Sequence, residues 1–310
     1  MDLILVFALI ASIFMGVSIG ASSVAPSYAP ANSAGRLNVM KLALLAGIFA
    51  FIGAVLQGQN VASTVGSGLL FGSISVLQGA AILTIGSGLV IISVLTDYPM
   101  PTAFTIVGAV IGSSIGFNNA VNWIEFGRIL SFWILTPVFS LIVSYILARL
   151  LQAYVPKKGS EKFINYLLLV SGSYVAYTAG AASVGLAVGP LQSSGLESGF
   201  LLFLGGGAIL MGSWMISPRI IKAVAYDYSN VGPRRSVAAL ISSGILAQAG
   251  IQLGIPVSFN LAIVAAVIGS GLVEGSGNRS DSKIYRTFAA WISAFLLSAV
   301  LTAPIGLLIA

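Results

Sequence analysis

The sequence contains no cysteine and no histidine, and charged residues make up only 7% of its 310 positions. Without cysteine the chain has neither disulfides nor thiolate nucleophiles, and without histidine it lacks the commonest general base and metal ligand. Its eight acidic residues are scattered along the chain, so they suggest neither a carboxylate pair nor a metal cluster. These absences argue against an enzyme, and we expect the protein to use no cofactor and no metal ion.

The shortage of charge also bears on the environment of the protein. A soluble domain carries roughly 25% charged residues, whereas 57% of this chain is hydrophobic and its mean hydropathy is +1.03. A membrane-spanning helix needs a run of about 20 apolar residues, and such runs predict an all-α, multi-pass protein of the cell membrane with about ten transmembrane helices, surrounded by the lipid bilayer. The predicted spans are 3–20, 41–58, 77–96, 100–117, 126–151, 163–182, 198–216, 236–253, 257–274 and 286–309.

Two pairs of similar segments divide the chain into halves. Residues 20–26 read Gly-Ala-Ser-Ser-Val-Ala-Pro and residues 180–186 read Gly-Ala-Ala-Ser-Val-Gly-Leu, while the Pro-containing segment 99–112 is repeated at 256–269. Both pairs predict Gly/Ser/Pro-broken segments at matching places, which in a transporter indicate the binding site. Five predicted crossings per half is an odd number, so the halves are predicted to be inverted-topology repeats.

The cations supply the orientation. If the N-terminus is outside, every lysine and arginine except Arg128 faces the cytoplasm, as the positive-inside rule requires. Both termini are then predicted outside. Because the positive charge orients the chain rather than forming a patch, we expect no nucleic-acid partner. The predicted divisions are 1–152 for the first transmembrane repeat, 153–162 for a cytoplasmic linker and 163–310 for the second repeat.

The first broken segment carries the chemistry of an anion site. Pro26 and Pro30 interrupt a run that would otherwise be helical, and irregular backbone at membrane depth is tolerated only where it is buried in protein or lines a wet cavity. Freed N–H groups and helix N-termini attract anions. The segment therefore predicts an anion held by backbone and hydroxyl donors.

These segments resemble the inorganic phosphate transporter (PiT) family, which repeats Gly-Ala-Asn-Asp-Val-Ala-Asn-Ala in each half and follows it with a segment like Gly-Leu-Pro-Val-Ser-Thr-Thr-His-Ala-Ile-Val-Gly. Residues 20–25 and 180–191 are similar to the first element, 98–112 and 254–269 to the second, and 123–137 to the family's closing helix. The resemblance covers nearly the whole chain. It implies an inverted-repeat secondary transporter that works by alternating access, with an oxyanion held near the midplane at the repeat interface.

The chain departs from the family where the substrate would bind. Residues 22–23 and 182–183 replace the family's Asn-Asp pairs with Ser-Ser and Ala-Ser, and 101–104 and 258–261 replace its Ser-Thr-Thr-His clusters. Phosphate at neutral pH retains a proton that a carboxylate can accept, whereas sulfate has none and would be repelled. Loss of both carboxylates therefore favours sulfate, and the chain resembles a sulfate-permease branch of the family. Phosphate transport with Na⁺ or H⁺ symport is the alternative; an anion channel or a membrane scaffold is the second.

The resemblance and these departures together give the candidate residues. The predicted substrate-binding residues are Ser22, Ser23, Ser183, Thr102, Ser258 and Asn260. Glu274, at the end of the predicted span 257–274, is the candidate proton carrier, although the sequence leaves the choice between H⁺ and Na⁺ coupling open. A homo-oligomer is compatible with the sequence, which identifies no interface.

Overall fold

The computed structural model describes residues 3–33, 38–96, 101–156, 158–216, 221, 232–274 and 281–309. In the first half the α-helices are α1 (Leu3–Ile19), α2 (Ala29–Ser33), α3 (Val39–Gln57), α4 (Gln59–Ser63), α5 (Val76–Leu95), α6 (Thr102–Gly116) and α7 (Trp123–Tyr154). In the second half they are α8 (Glu161–Val188), α9 (Ser198–Ile216), α10 (Pro233–Gln252), α11 (Phe259–Gly271) and α12 (Asp281–Ile309). The protein is therefore nearly all helical, as predicted.

Among the described residues, seven stretches are long and apolar enough to cross a membrane: Leu3–Asn32, Val39–Gln57, Val76–Leu95, Trp123–Tyr154, Glu161–Leu191, Ser198–Ile216 and Ala289–Leu308. The helices α6 and α11 are apolar but have only 15 and 13 residues. At about 1.5 Å per residue, neither reaches across a hydrocarbon core of about 30 Å. The count of ten spans is thus not confirmed: α6 and α11 are too short, and α10, which covers the predicted span 236–253, is not among the seven either.

A short antiparallel pair of strands is the exception to the helical architecture. Strand β1 (Leu70–Phe71) pairs with β2 (Ala120–Val121), so that Leu70 lies opposite Val121. The Asn122 side chain donates from Nδ2 to the carbonyl of Gly68 at 3.1 Å and caps α7 by accepting from Glu125 N at 3.2 Å. The pair joins the segment before α5 to the segment after α6.

The two short helices each lie against a long helix of the other half. A Cβ atom added to Gly112 of α6 would lie 2.1 Å from the carbonyl oxygen of Ala299 in α12. A Cβ atom added to Gly269 of α11 would lie 2.2 Å from the carbonyl oxygen of Leu141 in α7. Only glycine permits backbones to approach this closely, so these positions fix how the halves pack.

Side-chain hydrogen bonds connect the same two pairs of helices as the glycine contacts. Ser144 of α7 donates from Oγ to the carbonyl of Ala266 in α11 at 2.7 Å, and Thr302 of α12 donates from Oγ1 to the carbonyl of Ala109 in α6 at 3.0 Å. Each short helix is therefore joined to its long neighbour by both a glycine contact and a side-chain hydrogen bond.

The glycines that open the first repeated motif make equivalent contacts. A Cβ atom on Gly20 would lie 2.0 Å from the carbonyl oxygen of Ile209 in α9, and one on Gly180 would lie 2.1 Å from the carbonyl oxygen of Ala50 in α3. In both halves this glycine thus allows the motif segment to pack closely against a long helix of the opposite half, α9 for Gly20 and α3 for Gly180.

The prediction of matching breaks in the first motif is only half correct. In the first half, Gly20–Val24 forms a π-helix and Ala25–Tyr28 a 3₁₀-helix. In the second half, α8 continues without interruption through residues 180–186, and the backbone becomes irregular only at the 3₁₀-helix Gly189–Leu191. The difference follows from proline, which lacks a backbone N–H: it enters the motif at position 26 in the first half and only at position 190 in the second.

Candidate functional site

Two adjacent serines project from the irregular end of the first long helix. Ser22 and Ser23 lie in the π-helix Gly20–Val24, and their hydroxyl oxygens are 3.3 Å apart. A π-helix widens the helical turn and is frequent at functional sites. The next element is the 3₁₀-helix Ala25–Tyr28, and Pro26 is its second residue. Because proline has no backbone N–H, it breaks the regular hydrogen-bond pattern at this point. The sequence therefore holds two neighbouring hydroxyls at a local change of helical pitch.

The Ser23 hydroxyl connects the two short helices. Its Oγ lies 3.2 Å from Oγ1 of Thr102 and accepts a hydrogen bond from Nδ2 of Asn260 at 3.3 Å. Thr102 is the first residue of α6 and Asn260 the second residue of α11. Four of the six predicted binding residues, Ser22, Ser23, Thr102 and Asn260, thus form one cluster that contains residues of both halves.

The cluster lies where two helix N-termini meet. The first N–H groups of a helix have no partner within it, and the helix dipole places partial positive charge at this end. Since α6 and α11 both begin at the Ser23 hydroxyl, two such ends converge on one position. The site therefore favours an anion through helix dipoles rather than through a positively charged side chain. Two helix N-termini together with several hydroxyl donors are suited to an oxyanion.

Ser258 supports this arrangement from the N-cap of α11. Its Oγ accepts a hydrogen bond from the backbone N of Leu261 at 3.4 Å. Capping stabilises a helix start by satisfying one of its orphan N–H groups. The hydroxyl proton is not used in this bond, so Ser258 can cap α11 and still donate.

Two other predicted residues remain, Ser183 and Glu274. Ser183 is buried in α8, and its hydroxyl makes no hydrogen bond to Ser23 or Thr102. Glu274 ends a 3₁₀ turn after α11, Leu272–Glu274, but its side chain lies outside the described residues.

The clustered side chains are closed off from the surroundings. Ser23 is 2% exposed, Thr102 3% and Asn260 1%. The described carboxylates, which belong to Glu125, Glu161 and Glu197, all lie at or next to the first turn of a helix. Within the described part of the chain, no acidic side chain is hydrogen-bonded to Ser23, Thr102 or Asn260 in the hydroxyl cluster.

Trp133 of α7 positions both short helices, a role that was not predicted from the sequence. Its indole stacks on Phe104 of α6 with ring centroids 3.8 Å apart. Its Nε1 donates to the carbonyl of Pro256, just before α11, at 3.1 Å. A buried indole usually finds a hydrogen-bond partner, so a tryptophan in an apolar helix beside the motifs was the available signal.

Ser27 is a further buried hydroxyl in the same irregular segment. Among the described residues its Oγ is buried without a hydrogen-bond partner. An unsatisfied buried hydroxyl costs about 1–3 kcal/mol, which makes Ser27 a candidate for contact with a bound ligand.

Comparison with known proteins identifies this architecture. A family model described as the phosphate transporter family matches residues 19–302. The sulfate permease CysP of Bacillus subtilis is 26% identical over 94% of this chain and 84% of its own length. A candidate phosphate permease of Methanocaldococcus jannaschii is 27% identical over 86% of this chain and 85% of its own. A solved structure titled the sodium-dependent phosphate transporter has the same fold, with a TM-score of 0.89, 21% identity and 99% coverage of both chains. Because the family model covers nearly the whole sequence, the chain belongs to the phosphate transporter family and is a multi-pass anion permease of that family.

Proposed function

We propose that the protein is a sulfate permease that holds its anion where α6 and α11 meet the π-helical segment of the first half. The observation that carries this proposal is the shared Ser23 hydroxyl, which contacts Thr102 from one short helix and Asn260 from the other. A bound anion would replace these contacts with hydrogen bonds to its own oxygens. Ser22 and Ser23 are the central donors, and Thr102, Ser258 and Asn260 complete the site at the two helix starts.

The chemistry of the donors favours sulfate over phosphate. Hydroxyl protons, an amide NH₂ and helix N-termini are suited to a ligand that only accepts hydrogen bonds, and sulfate is such a ligand at neutral pH. Phosphate retains a proton that needs an acceptor, and an unpaired buried donor costs about 1–3 kcal/mol. A carboxylate would accept this proton, but none is described beside the cluster. The name of the Bacillus subtilis relative is consistent with this choice.

We propose two inverted-topology repeats, 1–152 and 163–310, joined by the linker 153–162. The reciprocal contacts support a two-fold relation between the halves: Gly112 meets α12 as Gly269 meets α7. Within this arrangement Ser183 of the second motif is the counterpart of Ser23. We propose that Ser183 donates to the anion only in another state of the transport cycle, because its hydroxyl is not hydrogen-bonded to Ser23 here.

Uptake into proteoliposomes tests the substrate. Radiolabelled sulfate and phosphate are compared at equal concentration under separately imposed H⁺ and Na⁺ gradients. We expect saturable sulfate uptake and counterflow, with unlabelled phosphate competing weakly. Stimulation by an inward H⁺ gradient would support H⁺ coupling and the role proposed for Glu274, which Glu274→Gln should then abolish; stimulation by Na⁺ would reject it.

Three results would contradict the proposal. Competition by phosphate with an affinity equal to that of sulfate would favour the phosphate-symporter alternative. Unitary currents without saturation or counterflow would indicate a channel, and the absence of any flux would indicate a scaffold.

Selective biotinylation of intact cells tests the proposed location in the cell membrane with both termini outside.

A further inference from the structure

A polar cavity of about 350 Å³ lies away from the Ser23 cluster, at the ends of three helices. It is enclosed by the end of α7 with the segment after it, the beginning of α8 and the beginning of α10. Its lining residues are Gln152, Pro156, Ser160, Glu161, Ile164, Asn165, Gly232, Pro233, Arg234 and Arg235. No step of the proposed transport cycle uses this cavity.

The lining carries an excess of positive charge. Among the described lining residues, Arg234 and Arg235 contribute two guanidinium groups and Glu161 contributes one carboxylate. Arg234 is fixed in place, because its Nη1 donates to the carbonyl of Val155 at 2.6 Å and to that of Gln152 at 3.4 Å. A guanidinium has five N–H donors in a rigid fork, so these two bonds leave donors of Arg234 for another partner.

Exposed aromatic side chains indicate the depth of the cavity. Tyr154 at the end of α7 is 80% exposed, and Phe163 and Tyr166 near the start of α8 are also exposed. Tyrosine concentrates at the membrane–water interface, where its ring lies at headgroup level. Basic pockets between transmembrane helices at this level bind phosphate-bearing headgroups.

We propose that the Arg234–Arg235 cavity binds a phosphate-type oxyanion, presented by the headgroup of an anionic phospholipid or present as free anion. The planar fork of Arg suits two oxygens of one such group. Bound there, the anion would join the end of α7 at Gln152 to the start of α10, that is, a part of each half. Glu161 opposes the anion electrostatically and sets its affinity.

Lipid binding is measured by native mass spectrometry of the purified protein with phosphatidylglycerol, and with phosphatidylcholine as the zwitterionic comparison. We expect Arg235→Gln to lower retention of phosphatidylglycerol about fivefold to tenfold, the effect of losing one arginine contact to an anionic headgroup. Arg235→Gln leaves the Arg234 bonds to the carbonyls of Gln152 and Val155 intact. Glu161→Gln should act in the opposite direction and raise retention.

Arg149→Gln is the matched control, because Arg149 lies on α7 outside the lining and binds Tyr145 at 3.0 Å. It removes the same charge and should leave retention unchanged. An equal loss in Arg149→Gln and Arg235→Gln would show a general charge effect and overturn the proposal. Retention that is the same for both lipids and unaffected by Arg235→Gln would also overturn it, unless the free-anion measurement shows a dependence on Arg235.

Free anion is tested by thermal unfolding of detergent-solubilised Ser23→Ala protein, in which binding at the proposed transport site is weakened. If inorganic phosphate or sulfate stabilises the Ser23→Ala protein but not the double variant Ser23→Ala, Arg235→Gln, the free anion is identified as the occupant. Arg235-dependent binding of phosphatidylglycerol alone would identify the lipid. Both outcomes support the cavity even if Ser23→Ala leaves transport unchanged, so the two proposals fail separately.

Discussion

Asn260 donates from Nδ2 to Oγ of Ser23 over 3.3 Å, although the two residues are 237 positions apart in the chain. One belongs to the start of α11 and the other to the π-helical segment after α1. Because Thr102 contacts the same oxygen, removing this single hydroxyl removes a hydrogen bond from each short helix to the first motif.

Ser23→Ala should raise the KM for sulfate uptake about tenfold or more, since a hydrogen bond to a charged group contributes about 1.5–3 kcal/mol. Initial uptake rates across a sulfate concentration series give the KM. Ser270→Ala is the control: Ser270 is buried at the far end of α11, and its hydroxyl bonds the carbonyl of Val267 in the same helix at 3.0 Å. An unchanged KM in Ser23→Ala would remove Ser23 from the binding site.

Ser23→Asp should reverse the substrate preference. A carboxylate at this position repels sulfate, at a cost of several kcal/mol for like charges in close contact, but accepts the proton of phosphate. We expect sulfate uptake to fall more than about a hundredfold and phosphate uptake to fall far less. Ser23→Asn introduces a side chain of nearly the same size as aspartate but without the charge. It therefore separates the electrostatic effect from the effect of crowding. Equal losses for both anions would contradict the argument from the missing carboxylate.

Gly112→Ala and Gly269→Ala should each destabilise the protein by about 1–3 kcal/mol, the usual cost of overpacking. In each case the new methyl group would meet a backbone carbonyl at 2.1 or 2.2 Å. Thermal unfolding in detergent measures the loss. Gly88→Ala and Gly207→Ala are matched controls, because a Cβ atom at either position has no neighbour within 4 Å. Similar unfolding temperatures in all four variants would refute the packing role of Gly112 and Gly269.

Trp133→Phe should weaken transport through the position of α11 rather than through direct contact with the anion. Phenylalanine retains the ring over Phe104 but loses the donor to the Pro256 carbonyl, a bond worth about 0.5–1.5 kcal/mol. We expect the KM to rise a few-fold with little change in the maximal rate. Trp123→Phe, at a position that is 65% exposed, should have no effect; a matching change there would show that aromatic size alone matters.

The absence of cysteine makes orientation directly testable. A single cysteine can be introduced without background labelling, and both Lys158 and Ser193 are exposed in segments between helices. With the termini outside, Ser193→Cys in intact cells should react with a membrane-impermeant maleimide, and Lys158→Cys should react only after permeabilisation. The opposite pattern would reverse the proposed orientation.

The sequence located most long helices because continuous apolar runs report directly on burial in lipid or protein. It was less reliable for helix length at the short helices. The helices α6 and α11 lie in apolar sequence like their neighbours, and the contacts that hold them beside long helices, such as those at Gly112 and Gly269, are visible only in the structure. It was wrong about a break at 180–186, because glycine, alanine and serine permit irregular backbone but do not enforce it. Proline enforces it, and Pro190 lies beyond the motif.

The hydroxyl cluster was partly predictable from repeated motifs. Ser22, Ser23, Thr102 and Asn260 were chosen because they replace polar family residues, and all four come together. The role of Trp133 could not be derived in this way, since its partner is a backbone carbonyl 123 positions away. A contact to backbone leaves no residue pattern in a single sequence.

The exchange of glycine contacts between halves also has a consequence for biogenesis. When the ribosome has released the first half, Gly112 on α6 and the α7 backbone that receives Gly269 both lack their counterparts, which lie on helices still to be made. We therefore expect that the first half does not complete its packing by itself. The faces of α6 and α7 that pack against α12 and α11 would have no partner in the membrane until those two helices have been synthesised. Completion of the fold is then coupled to synthesis of the last two helices.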